Sequence, residues 1–177
     1  MRTLVFSTLL FFLLGFCSCS NDSVTNREID KVISQYDSVN FNNIKGTSIL
    51  QRSGTPNEIV YVIDRFGENK PPYFVTFNIS RQSITEVNRN LLERDSMSDY
   101  LTESEIANAV HTIRKYGFYL LSVDSSENVF INPFYADEPA YLLRLKSATG
   151  DSIVRMGFVY KLYRENWYLN DNAMPKE

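Results

Sequence analysis

Histidine occurs once in this chain of 177 residues, at His111, and cysteine twice, at Cys17 and Cys19. With no G-x-S-x-G and no cysteine in the body of the chain, neither a Ser-His-Asp nor a Cys-His nucleophile can be assembled. There is no H-E-x-x-H and no cysteine cluster to hold a transition metal. The seven glycines spell neither G-x-G-x-x-G nor a P-loop, so the phosphate cradles of nucleotide-binding folds are missing. The stretch "DSSEN" (124–128) opens like a calcium loop but lacks the glycine and the closing glutamate, and reads as a hairpin turn. No cofactor and no metal is implied. Lys and Arg, 18 against 21 Asp and Glu, form no run, which excludes an electrostatic nucleic-acid binder. Together these absences argue against an enzyme. The catalytic alternative left is a carboxylate-based hydrolase, its pair drawn from Asp64, Glu68, Asp137 and Glu138.

Long hydrophobic runs are also scarce. The one that stands out, Leu4 to Phe16, is interrupted only by Ser7 and Thr8 and follows Met1-Arg2. It is shorter than the roughly 20 residues a spanning helix needs and fits the core of a secretory signal peptide. Cys17-Ser18-Cys19-Ser20 follows, where an A-x-A cleavage site would normally stand. This stretch resembles the lipobox of bacterial lipoproteins, in which a small residue precedes the cysteine that is lipidated. Cys19, behind Ser18, fits better than Cys17, behind Phe16; with Phe16 where leucine is usual, the stretch is similar to the relaxed Bacteroidetes form. A Cys17–Cys19 disulfide is the competing reading, and it closes a small, strained ring. The resemblance implies that residues 1–18 are removed, that Cys19 carries palmitate-type acyl chains, and that the protein is exported and lipid-anchored in the cell envelope, at the outer membrane. Whether it faces the periplasm or the surface is left open.

Removal of residues 1–18 leaves 177 minus 18, or 159, residues, enough for one domain with a real core. It takes away only Arg2, so the formal charge becomes 17 minus 21, or −4. Asp-Ser followed by an apolar residue recurs at Ser23, Ser38, Ser96 and Ser152, and resembles the O-glycosylation acceptor of Bacteroidetes exported proteins.

The body of the chain contains two helix signals of the same kind. Thr25 with Glu28 is a capping box, Val24 can staple Ile29, and Ile29, Val32, Ile33 and Tyr36 fall on one helical face. Thr102 with Glu105, Leu101 with Ile106, and the stripe Ile106, Ala109, Val110, Ile113 repeat the pattern, with Gly117 as the stop, giving a helix over roughly 103–116. His111 lies on the opposite side of that helix, towards solvent. Period-two or continuous apolar runs predict strands at "TSILQR", "EIVYVIDRF", "YFVTFNIS", "FYLLSVD", "NVFIN", "AYLLRLKS" and "WYLN". "SIVRMGFVYKLYR" reads as one long strand with one face wet, Val154, Met156, Phe158, Tyr160 and Leu162 alternating with Arg155, Lys161 and Tyr163. The stretch "RQSITEVNRNLLERDSMSDY" fits either a strand end or a short helix. The expected fold is α+β: an antiparallel β-sheet of several strands with two main helices packed on one face, in a single domain over 25–172, with a short tether at 19–24 and a frayed tail at 173–177.

Aromatic residues make up 14% of the chain and interleave with amides and carboxylates in "FINPFYADEPAY". Such a loop can stack on sugar rings or form a protein hot spot; equally, its rings can tuck over the end of the sheet. The candidate binding residues are Phe134, Tyr135, Asp137, Glu138 and Tyr141, with Trp167. The expected partner is an envelope protein, in an adaptor or immunity role, or a glycan handled in nutrient uptake. The membrane is touched only through the N-terminal lipid.

Overall fold

The computed structural model describes residues 24–136 and 138–173. The signal segment, Cys17, Cys19, Ser23 and Asp137 lie outside the described residues, as does the tail from 174.

Helix α1 (Asn26–Tyr36) begins where its cap places it. The Thr25 hydroxyl accepts from the Glu28 N–H, and the Glu28 carboxylate accepts from the Thr25 N–H at 2.8 Å. A 3-10 turn (Asn42–Ile44) leads into a fully antiparallel run of four strands, β1 (Thr47–Gly54), β2 (Glu58–Arg65), β3 (Tyr73–Asn78) and β4 (Ser83–Asn88). The stretch left between strand and helix is both, since β4 is followed by the single turn α2 (Asn90–Arg94). Then comes α3 (Glu103–Tyr116), capped by Thr102 and Glu105 and stopped by Gly117 at φ 69, a left-handed position that glycine takes without steric cost. The remaining strands are β5 (Leu120–Val123), β6 (Val129–Asn132), β7 (Leu142–Arg144), β8 (Ser152–Arg155), β9 (Phe158–Arg164) and β10 (Trp167–Asn170).

All ten form one antiparallel sheet in the order β4-β3-β2-β1-β5-β6-β7-β10-β9-β8, larger than the several strands expected. Two departures from a simple meander shape it. The segment carrying α2 and α3 returns the chain from the β4 edge to the middle, where β5 pairs with β1 and α3 lies against β1 and β2. The segment after β7 runs out to the far edge, and β10 comes back to pair with β7. The single long strand expected over 152–164 is corrected: Met156 and Gly157 take φ 52 and 80, and the chain turns back on itself to make β8 and β9. Two consecutive left-handed residues form the type I′ turn that suits a tight hairpin, and Met-Gly hides that turn inside an uninterrupted apolar alternation.

The main core joins Ile29, Ile33 and Tyr36 of α1 and Ile106, Val110 and Ile113 of α3 to Ile49, Ile63, Val75, Leu121, Ile131, Leu142 and Trp167 of the sheet. A second, smaller cluster contains Phe130, Ala140, Leu143, Leu145, Tyr160 and Tyr168. Strand alternation puts Phe130, Leu143 and Tyr168 on the opposite side of the sheet from Ile131, Leu142 and Trp167. The sheet therefore buries both faces around β6, β7 and β10.

Candidate functional site

The aromatic loop after β6 is held by one buried amide. Asn132, 1% exposed, accepts from the backbone N–H groups of Phe134 and Tyr135, both at 3.0 Å, and its Nδ2 donates to Pro139 O at 2.9 Å. One side chain thus closes the loop at both ends and satisfies its own polar atoms. A second buried amide, Asn170, donates to Ala140 O at 3.2 Å, where the Tyr160 hydroxyl also donates at 3.1 Å. The base of the loop is consequently rigid.

From this base Phe134 leans edge-on against Tyr141, ring centroids 4.9 Å apart at 74°, and is partly buried against the main core. Tyr135 extends further and is 39% exposed. Between these rings and α1 runs a groove of about 1080 Å³, walled by Val24, Thr25, Arg27, Glu28 and Lys31 on the helix side and by Tyr119, Pro133, Phe134 and Tyr135 on the loop side. A smaller groove of about 260 Å³ continues along α1 towards Tyr36 and Tyr116, sharing Glu28, Lys31, Pro133 and Phe134 with the first. Glu28 is already occupied as the cap of α1, and the Thr25 N–H and hydroxyl that it accepts hold its carboxyl below the usual range. The exposed Arg27 and Lys31 are the cationic groups beside the rings.

The other candidate residues divide. Glu138 is exposed on the same loop. Tyr141 and Trp167, expected at the binding surface, lie in the core at 5% and 1% exposure, and this corrects their place in the site. Burial pushes the Tyr141 hydroxyl up to about 12. The Trp167 indole N–H donates to Asp37 Oδ1 at 2.8 Å, fastening β10 to the end of α1. Arg144 acts beside it, its guanidinium donating to the carbonyls of Tyr36, Asp37 and Val39. That is the usual complement of a cation to the carbonyl end of a helix. Ser38, Ser96 and Ser152 are all exposed. The contributions of Arg27, Lys31 and Tyr119 were missed by the sequence reading. The available signal was that Arg27 and Lys31, four apart, share a face of α1 off its apolar stripe.

Of the carboxylates considered for hydrolysis, Glu68 pairs with Lys70 at 2.6 Å. Asp64 is half-buried on β2 in register with Ser48 of β1, which is in turn in register with Ser122 of β5. The Ser122 hydroxyl donates to Ser48 Oγ at 2.8 Å. Burial pushes the Asp64 carboxyl up to about 6, against the opposing effect of the Ser48 hydrogen bond. Neither Asp64 nor Glu68 lines the groove. Among the described residues no group of His, Cys, Asp and Glu is placed to hold a metal ion, and no helix is long and apolar enough to cross a membrane. Set against family models, curated proteins and solved structures, the chain matches none of them.

Proposed function

We propose that this chain is an exported lipoprotein, anchored through Cys19 to the cell envelope at the outer membrane, whose domain binds an envelope protein in the groove between α1 and the loop after β6. In this reading α1 and α3 cover one face of the sheet, supported by the hydrophobic cluster they share, and α1 doubles as a wall of the binding site. The observation that carries the proposal is how near the groove lies to the start of the domain. Val24 and Thr25 are among the residues that line it, and only residues 20–24 separate Cys19 from Thr25. Five residues reach at most about 18 Å when extended, so a partner in the groove is held close to the bilayer. Rings on a loop tied at its base by Asn132, beside Arg27 and Lys31, suit a partner that presents apolar side chains rimmed by carboxylates, as in hot-spot recognition.

The test is in-cell crosslinking of the tagged chain followed by mass spectrometry, repeated with Tyr135→Ala, Phe134→Ala and Asn132→Ala. A stoichiometric envelope protein, lost with Tyr135→Ala while the domain stays folded, is the expected result. Asn132→Ala strands two N–H groups and a carbonyl, and costs about 1–3 kcal/mol of stability along with the partner. A partner retained at full yield by all three variants sinks the groove as its site. Cys19→Ala leaves an unlipidated precursor; unchanged acyl labelling moves the site to Cys17. The exposed Tyr135 ring also favours a second reading, a glycan-binding accessory of nutrient uptake, which glycan-array binding lost with Tyr135→Ala would support.

A further inference from the structure

The apolar surface left outside both cores gathers at one edge of the sheet. Among the described residues, four of the five exposed large hydrophobic side chains, Val154, Met156, Val159 and Leu162, belong to the β8–β9 hairpin, with Val154 at 63% exposure. β8 is the last strand of the sheet, with no neighbour on its outer side among the described residues. The two-residue turn fixes which of its backbone groups point outwards. Arg155 and Phe158 flank that turn as a hydrogen-bonded pair, so Arg155, Ile153 and Asp151 point their amides inwards to β9 while Ser152 and Val154 point theirs out. The Leu162 N–H donating to Asp151 O at 2.8 Å agrees with this phase.

We propose that β8 pairs antiparallel with β8 of a second copy of this chain, about a two-fold axis at Ile153, so that two sheets join edge to edge. Antiparallel pairing requires outward residues to meet outward residues, which restricts the axis to a few positions. With the axis at Ile153, Ser152 of each copy exchanges both backbone bonds with Val154 of the other. The same register sets Asp151 of each copy directly across from Arg155 of the other, opposite charges in the closer, non-hydrogen-bonded pair. Moving the axis to Ser152 or to Val154 puts Asp151 or Arg155 against Ile153 and loses both ion pairs. In the single chain Arg155 Nη1 donates to the outward Val154 carbonyl at 3.1 Å. A second strand replaces that bond with its own N–H and frees the guanidinium for the facing carboxylate. The closed two-fold arrangement uses up the free edge of β8 in both copies, so assembly stops at two there.

The test uses the full-length chain in its membranes. Asp151→Cys and Arg155→Cys are co-expressed with different tags and oxidised gently, then read on non-reducing gels over the background of the parent chain. Both positions are exposed. Each is about 14 Å from its own counterpart in the dimer but faces the other variant. Linkage between the two variants, and not within either alone, is the expected result; equal linkage within each, or none, overturns the proposal. Met156→Cys, 61% exposed yet about 20 Å from its counterpart, stays unlinked unless the linkage is random collision. Independently, Arg155→Asp lowers dimer formation about tenfold in sedimentation of the detergent-solubilised chain. The double reversal D151R/R155D restores it, and a failure to restore defeats the register.

Discussion

Strands β3 and β10 are made of similar residues, "YFVTFN" and "WYLN", yet β3 buries every second side chain whereas β10 buries all four. The difference lies in what stands opposite the second face. Behind β10 and its neighbours, Phe130, Tyr160, Leu143 and Tyr168 pack together with Phe66, whose ring lies 4.9 Å from that of Phe130. Behind β3, Phe74 faces solvent and the Arg52 guanidinium, 6.0 Å from its ring centre. The second core is sealed by polar ties from its rings to loop backbone. Tyr168 Oη accepts from the Thr149 N–H at 3.0 Å and donates to Gly150 O at 2.9 Å. One half of the sheet is therefore a two-sided core, and the other is a one-sided layer with a damp back.

The largest expected effect breaks this contrast directly. Tyr168→Ala removes a fully buried ring and both of its loop bonds, and costs about 3–5 kcal/mol in urea unfolding. Phe74→Ala, at a partly buried position on the other half of the same sheet, costs about 1 kcal/mol. Equal losses for the two substitutions mean that the second cluster is not a core.

Much of the one-sided half was legible in the sequence, because there local pattern and burial agree. The alternation of Tyr73, Val75 and Phe77 and the capping box at Thr102 each name their own surroundings. The two-sided half was less legible because its burial is decided by residues distant in sequence. Trp167 reads in the sequence as a ligand-stacking ring, whereas its N–H is taken by Asp37, 130 residues away. Likewise, period two continued through Met156-Gly157, and only the backbone angles show the reversal. Phe134 and Tyr135 are marked in the sequence by loop composition, while the opposite wall of the groove, Arg27 and Lys31, belongs to a helix that sequence alone has no means of placing across from the loop.

A smaller effect sharpens the contrast on the damp side. Asp64 titrates near 6 in the folded chain against an ordinary value of 3.8, because burial disfavours its charged form. The folded chain thus holds this proton more tightly than the unfolded one. On this account stability is fullest below pH 3.8 and falls as pH rises towards 6. Asp64→Asn removes the penalty while keeping an acceptor for Ser48. Discounted for partial exposure, the variant gains about 1.5 kcal/mol over the parent at neutral pH and nothing at pH 3.5. A gain of the same size at both pH values would mean that the carboxyl is solvated.

The smallest effect compares the two capping boxes, which share one local chemistry in different surroundings. In both, threonine and glutamate three residues later exchange the same bonds, with Thr25 N to Glu28 Oε2 and Thr102 N to Glu105 Oε2 each at 2.8 Å. Glu28 ends there, at the wall of the groove. Glu105 has a second partner, since Arg65 of β2 donates to its other oxygen at 2.7 Å and to Tyr100 O at 3.1 Å. The α3 box is therefore also a clasp between helix and sheet. Thr25→Ala costs about 0.5 kcal/mol and Thr102→Ala about 1 kcal/mol, and the excess for Thr102 disappears when Arg65→Met is already present. If instead Thr25→Ala proves the costlier, α1 depends on its cap more than on the bonds Arg144 and Trp167 make at its other end. The groove wall would then be the less secure part of the two-sided half.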